Sequence, residues 1–114
     1  MAITNTFCRL AATRPDSTDE FQLYVVPAAT EINAVLRICN QDSTARAFTI
    51  MHCAAGHGNN VGLVHDRIYF LKNIEAYETI EISIHANATE TLRAAASVAE
   101  KISFVLEGQK KVTS

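Results

Sequence analysis

Short segments in which apolar and polar residues alternate recur along most of the chain, and this period of two restricts the fold more than any other feature. In Thr79–His85 the odd positions are polar, and the even positions are Ile80, Ile82 and Ile84. Successive side chains of a β-strand point to opposite faces of its sheet. Burying each isoleucine is worth roughly 1.5–3 kcal/mol. The pattern therefore predicts a strand whose isoleucines lie in a core, and helical periodicity is scarce elsewhere.

Residues typical of turns separate these alternating segments. Thr13–Glu20 is a polar loop, and Asn40–Thr44 supplies a hairpin-like turn. In the second segment the alternation predicts that Phe21, Leu23 and Val25 share one face. The predicted strands are Thr4–Ala11, Phe21–Val26, Ile32–Asn40, Ala47–Cys53, Asp66–Lys72, Thr79–His85, Thr91–Ser97 and Ile102–Leu106.

The alanine-rich segment Glu90–Lys101 leaves one choice open, because its apolar residues also fit one stripe of a helix. We predict a strand at Thr91–Ser97 followed by a turn near Ala99–Lys101, so that the chain has seven or eight strands. Many short alternating strands between turns are typical of an all-β fold, either an antiparallel β-sandwich or a jelly-roll-like arrangement.

Length and charge narrow the organisation and the partners. A chain of 114 residues forms one domain, so we predict a single β-sandwich domain with residues 1–14 as a candidate N-terminal arm, of which Met1–Ala12 is expected to contact neighbouring molecules. Only 19% of the residues are charged, which indicates a surface that other chains complete. The ten lysines and arginines are scattered, so no nucleic acid is expected as a partner. No signal peptide or membrane-length apolar run occurs, which predicts synthesis in the cytosol and no membrane partner.

Residues of the types that bind zinc cluster near the middle of the chain: His52, Cys53, His57 and His65. Their spacing fits no standard zinc finger, and neighbours on a strand point to opposite faces, so we expect no metal and no other cofactor. The three cysteines Cys8, Cys39 and Cys53 lie in apolar patterns that indicate reduced, largely buried thiols. Without a recognisable nucleophile motif, no catalytic residue is expected and the chain is not predicted to be an enzyme. A small metal-dependent enzyme that uses these histidines and Cys53 is a further hypothesis, which a metal analysis would test.

The segment Ala54–His65 holds three of the four glycines and is long for a hairpin connection. Its GHGNNVG run precedes a strand, whereas a phosphate-binding glycine loop precedes a helix. We therefore predict a partner-contacting loop, with the contacts made by His57, Asn59, Asn60 and His65. The glutamates Glu75, Glu78 and Glu81 are expected to be solvated or to form salt bridges, and Asn87-Ala88-Thr89 is expected to form a turn.

Several short motifs occur in a recognisable order over Glu20–Gly108. They are Val35-Leu36-Arg37-Ile38-Cys39-Asn40, Arg46-Ala47-Phe48, Asp66-Arg67-Ile68-Tyr69-Phe70, Ala76-Tyr77-Glu78-Thr79-Ile80 and Ser103-Phe104-Val105-Leu106. In this order the chain resembles small β-sandwich proteins of tailed-bacteriophage virions. It departs from them in Leu92–Ala99, which is alanine-rich where they usually have a β-branched strand.

The resemblance implies a non-catalytic virion protein, made in the bacterial host cytoplasm and located in the particle. Such proteins are capsid decoration or cement proteins, or parts of the tail, neck or fibre. The implied partners are other copies of the chain in a symmetric homo-oligomer, for example a trimer, and other virion proteins such as the major capsid protein. An alternative is a ligand- or glycan-binding sandwich on a tail appendage, in which exposed tyrosines such as Tyr69 and the histidine-containing loop contact the glycan.

Overall fold

The computed structural model of the chain describes residues 2–53 and 67–113, and these residues form eight β-strands and no helix. The strands are β1 (Ile3–Thr13), β2 (Phe21–Val25), β3 (Thr30–Asn40), β4 (Arg46–Cys53), β5 (Arg67–Ile74), β6 (Thr79–Ala86), β7 (Thr91–Ala96) and β8 (Ile102–Thr113). The predicted all-β class is confirmed.

Each strand of the first half of the chain pairs with a strand of the second half, in reverse order. The antiparallel pairs are β1 with β8, β2 with β7, β3 with β6 and β4 with β5. Two further pairings, β3 with β8 and β4 with β7, complete two four-stranded sheets. We name these sheet A, in the order β1-β8-β3-β6, and sheet B, in the order β2-β7-β4-β5. This strand order is that of a jelly roll.

The two sheets pack face to face over a shared apolar core. Edge-to-face rings of Phe21 from sheet B and Phe104 from sheet A, with centroids 5.5 Å apart, connect the layers. On β6, Ile84 is buried and Ile80 and Ile82 pack against the core from the sheet edge, as the alternation predicted. The largest fully buried side chains are Phe48, Phe104, Ile32, Leu36, Ile38, Ile50, Met51, Ile74, Leu92, Ile102, Leu106 and Val26.

The alanine-rich segment forms the strand β7, so the helical alternative is wrong. β7 lies between β2 and β4, and its inward alanines stand opposite large residues of both neighbours. Ala94 is paired with Phe21, and Ala96 is paired with Phe48. The small side chains leave room for these rings, and pairing on both edges outweighs the modest helix preference of alanine.

A β-bulge changes the faces of β2. The register shifts between Gln22 and Tyr24, so the residues after the shift exchange faces. Val26 is fully buried and Val25 is 40% exposed, whereas strict alternation predicted Val25 on the same face as Phe21 and Leu23. That part of the prediction was wrong because alternation assumes an uninterrupted ladder.

Gly108 allows β8 and β3 to approach each other closely in the middle of sheet A. A Cβ atom at this position would lie 2.5 Å from Ala34 Cα and closer still to the carbonyl oxygen of Asn33. Backbone atoms cannot move aside cheaply, so only glycine fits here. Gly108 is paired with Cys8 of β1, and the side chains of Ile3–Arg9 around and before this pair are exposed on both faces.

The side chain of Asn40 connects two turns beneath one end of the core. It is fully buried, and its Nδ2 group donates to the carbonyl oxygens of Thr44, Ile74 and Glu75 at 3.0, 3.2 and 3.1 Å. Its Oδ1 atom accepts the Asp42 N–H at 3.0 Å. One amide thus satisfies backbone groups from both the β3–β4 turn and the β5–β6 turn.

Candidate binding surfaces

The four loop residues predicted to contact partners, His57, Asn59, Asn60 and His65, lie outside the described residues. The same holds for the whole segment Ala54–His65 that contains them. Their predicted role stays a prediction.

His52 and Cys53 both lie on β4, at its C-terminal end. The imidazole Nε2 of His52 is 2.9 Å from Glu90 Oε1, while Cys53 is fully buried. Within residues 2–53 and 67–113 no group of three or more His, Cys, Asp or Glu side chains could hold a metal ion. His52 connects the end of β4 to the turn that precedes β7.

Glu90 is held in its ionised form by its neighbours. Burial is the largest influence and raises its pKa, but the Asn87 N–H and the hydrogen bond from His52 oppose it. Together with the charges of His52 and His85 they hold the pKa below its usual value. The Asn87 N–H donates to Glu90 Oε1 at 2.7 Å. The carboxylate is therefore a structural ion that fixes this turn to β4.

Two turns that connect sheet A with sheet B, one between β5 and β6 and one between β6 and β7, share this construction. In both turns, Glu75–Glu78 and Asn87–Glu90, the N–H of the fourth residue donates to the carbonyl oxygen of the first residue. The side-chain carboxylate of the fourth residue accepts a hydrogen bond from the N–H of the first. The third residues, Tyr77 and Thr89, have φ angles of 60° and 66°. The predicted turn at Asn87-Ala88-Thr89 is confirmed. Glu75 and Glu78 are the first and fourth residues of the other turn, which their hydrogen bonds close.

The cysteines differ in their exposure. Cys53 is buried and Cys39 is half-buried, but Cys8 is exposed, so the prediction of largely buried thiols was wrong for Cys8. Cys8 is exposed because the first half of β1 extends past the core.

The tyrosines Tyr69 and Tyr24 are held by their surroundings. Tyr69 packs edge-to-face on Phe48 with ring centroids 5.8 Å apart, which holds its ring within the sheet. Burial raises the pKa of Tyr24, and the neighbouring Cys8 raises it further.

On the outer face of sheet A, charged side chains are largely paired with each other. Arg37 lies between Glu81, with Nε 2.8 Å from Oε2, and Glu107 on the neighbouring strand. Lys111 Nζ is 3.2 Å from Glu31 Oε1. Glu81 thus forms the kind of salt bridge that the sequence predicted, and the charges of this face largely cancel.

The first half of β1 carries two of the most exposed large apolar side chains of the described residues. Ile3 is 56% exposed and Phe7 is 80% exposed, and both point to the same face of the strand, four residues apart. Phe7 also borders two shallow depressions of about 440 and 450 Å³ on sheet A, both of which include Val35 and Glu107. Exposed apolar surface of this kind marks contact sites. We take Ile3–Arg9 as the candidate binding surface and call it the β1 edge.

The sequence held one signal for the β1 edge that alternation alone did not use. Arg9 is the only charged residue in Ile3–Thr13, although the strand forms the border of a sheet. Natural edge strands are usually protected by charges or proline. The fold and the β1 edge together define a jelly-roll protein with an unprotected edge strand.

No protein-family model matches the chain, and no curated protein sequence matches it. Among the residues that the structure describes, no helix is long and apolar enough to cross a membrane.

Proposed function

We propose that the chain is a non-catalytic structural protein of a tailed-phage virion. In this proposal it attaches to the particle and stabilises it through symmetric contacts between its copies and through contacts with other virion proteins. Its place is either on the capsid, as a decoration or cement protein, or in the tail, neck or fibre. The observation that carries the proposal is the β1 edge, a border strand with a single charge that is exposed on both faces and presents Ile3 and Phe7.

The positions of the motif residues support the resemblance on which the proposal also depends. Asn40 is the buried amide that connects two turns, and Phe48 and Phe104 are core side chains of opposite sheets. Arg46 Nη2 lies 2.7 Å from Asp42 Oδ2 in the turn beside Asn40. These residues of three of the motifs thus fall on positions that determine the framework, which is where proteins sharing one architecture would be most similar.

The charge distribution also favours a protein surface as partner. The salt bridges on sheet A leave few unpaired charges there, and the β1 edge has one charge in seven residues. Such a surface suits apolar and backbone contacts to protein better than binding to a polyanion.

The test is quantitative mass spectrometry of density-purified particles from a phage whose genome carries this gene, with immunogold labelling to locate the chain. We expect the chain in the particles at a fixed ratio to the major capsid protein, with label confined to one part of the virion. Particles assembled without the gene should disassemble at a lower temperature. A chain found only in the host-cell fraction, or a gene that belongs to no phage, would overturn the proposal.

A further inference from the structure

The four border strands of the two sheets differ in how they are protected. On sheet B, β2 has five residues and a bulge, and β5 has an irregular register and a positive φ of 49° at Leu71. On sheet A, β6 has eight residues and carries Glu81 and His85. In contrast, β1 has eleven residues, no proline and a single charge, and its one register shift, between Arg9 and Ala11, lies outside Ile3–Phe7. Among the described strands, β1 is therefore the border best suited to accept another strand.

The sequence of the β1 edge is symmetric about Asn5. The run Ile3-Thr4-Asn5-Thr6-Phe7 reads as apolar, Thr, Asn, Thr, apolar in either direction. When two such strands pair antiparallel with Asn5 opposite Asn5, Ile3 of one copy lies opposite Phe7 of the other, and Thr4 lies opposite Thr6. β-Branched residues opposite aromatics, and threonine opposite threonine, are favourable cross-strand pairs. The occupant that best matches this edge is a second copy of the same edge.

We propose that two copies of the chain pair through their β1 edges about a two-fold axis at Asn5, which joins their A sheets into one eight-stranded sheet. The contact covers the exposed side chains of Ile3 and Phe7 in both copies. β1 is paired with β8 on one edge and forms the border of sheet A on the other, so within the described residues its free edge can take the second strand. The two Arg9 residues lie eight positions apart along the pair, about 27 Å, so their charges do not oppose it.

This inference specifies the copy-to-copy contact of the proposed function and rests on that function only for its biological role. A two-fold contact makes the dimer the repeating unit, in place of the trimer that the resemblance led us to expect. A single pair of strands buries little surface, so we expect a weak dimer in solution that becomes prominent at high local concentration, as on a particle.

The first experiment compares dimerisation of matched lysine variants of the full chain by sedimentation equilibrium, up to millimolar protein. Phe7→Lys removes the apolar contact and places two lysines on the paired edges, so we expect the dimer dissociation constant to rise by about tenfold or more. Tyr77→Lys, at an exposed turn residue far from β1 in sequence, serves as the control and should dimerise like the parent chain. Circular dichroism checks that both variants fold.

The second experiment tests the register by disulfide formation in a Cys8→Ser background. Asn5→Cys places two thiols at the axis, where opposite Cβ atoms are about 4.5–5.5 Å apart, so mild oxidation should give a covalent dimer. Ile3→Cys is the control, because its two thiols would be about 14 Å apart in this register. The Cys8→Ser parent shows any contribution from Cys39 and Cys53.

A chain that remains monomeric at all concentrations overturns the inference, as does a dimer that Phe7→Lys leaves unchanged. Equal cross-linking of Ile3→Cys and Asn5→Cys overturns the register. If the chain is present in virions but does not dimerise through β1, the inference fails and the proposed function stands. If it dimerises through β1 but is absent from virions, the proposed function fails and the inference stands.

Discussion

Replacing Asn40 by alanine should strongly destabilise the protein. The substitution removes the amide that satisfies the carbonyl groups of Thr44, Ile74 and Glu75 and the N–H of Asp42. The site is fully buried, so water cannot easily take the place of the amide.

The magnitude follows from the hydrogen bonds that are lost. The two N–H groups of the amide are shared among three carbonyls and count as about two bonds, and the Asp42 N–H provides a third. At about 1 kcal/mol of net stability for each bond, Asn40→Ala should lower the free energy of unfolding by about 3 kcal/mol. That loss is a large part of the roughly 5–15 kcal/mol that stabilises a domain, and it should lower Tm by about 10 °C or more.

Urea unfolding followed by circular dichroism measures this loss, with Asn33→Ala as the matched control. Asn33 lies on the same strand, but its side chain is exposed and accepts a hydrogen bond from His85 Nδ1 at 2.7 Å. An exposed substitution of this kind should change stability by less than about 0.5 kcal/mol. If Asn40→Ala were no more destabilising than Asn33→Ala, Asn40 would not be the amide that holds the two turns.

Three further substitutions test other parts of the framework. Gly108→Ala should cost about 2 kcal/mol or more in urea unfolding, because its Cβ would overlap the backbone of Ala34; unchanged stability would refute the close approach. Thr89→Gly should stabilise by about 1 kcal/mol, because glycine accepts the φ of 66° without strain, and a loss of stability would contradict this. Glu90→Gln tests the lowered pKa: the ionised carboxylate stabilises the wild type above the usual pKa of 4.5, and this contribution is lost as the pH falls through the lower folded-state pKa. The stability difference between wild type and Glu90→Gln should therefore shrink in acid, and a difference independent of pH would count against the role of this ion.

Alternation predicted the strands well because burial on one face fixes both the residue pattern and the register. The predicted segment Thr79–His85 matches β6 to within one residue, and β3 includes all of the predicted Ile32–Asn40. The alanine-rich β7 was harder, because its small residues are explained by Phe21 and Phe48 on neighbouring strands that local sequence does not reveal. The bulge in β2 was not predicted for the same reason, since it depends on the register with β7.

The surfaces were less predictable than the strands. The sequence directed attention to residue types that carry chemistry, and His52 proved to be paired with Glu90. The exposure of Phe7 could not be read from its pattern, because an aromatic residue in an alternating strand usually faces a core. The pairing of Phe7 with Gln109, next but one to Glu107 on β8, places its side chain on the outer face of sheet A, which sheet B does not cover. A border strand with few charges was the signal that sequence reasoning could have used.

The reversed pairing of the strands implies an order of folding. β4 and β5 are neighbours in sequence, whereas Ile3 of β1 is paired with Thr113 of β8 at the opposite end of the described chain. Closing longer loops costs more entropy, so pairing should begin at β4 and β5 and proceed outward, with β1 joining last. By the same reasoning β1 should open first in the native protein, and its amide hydrogens should exchange with solvent faster than those of β3. The strand best placed to join another molecule is thus also the one that the folded chain releases most easily.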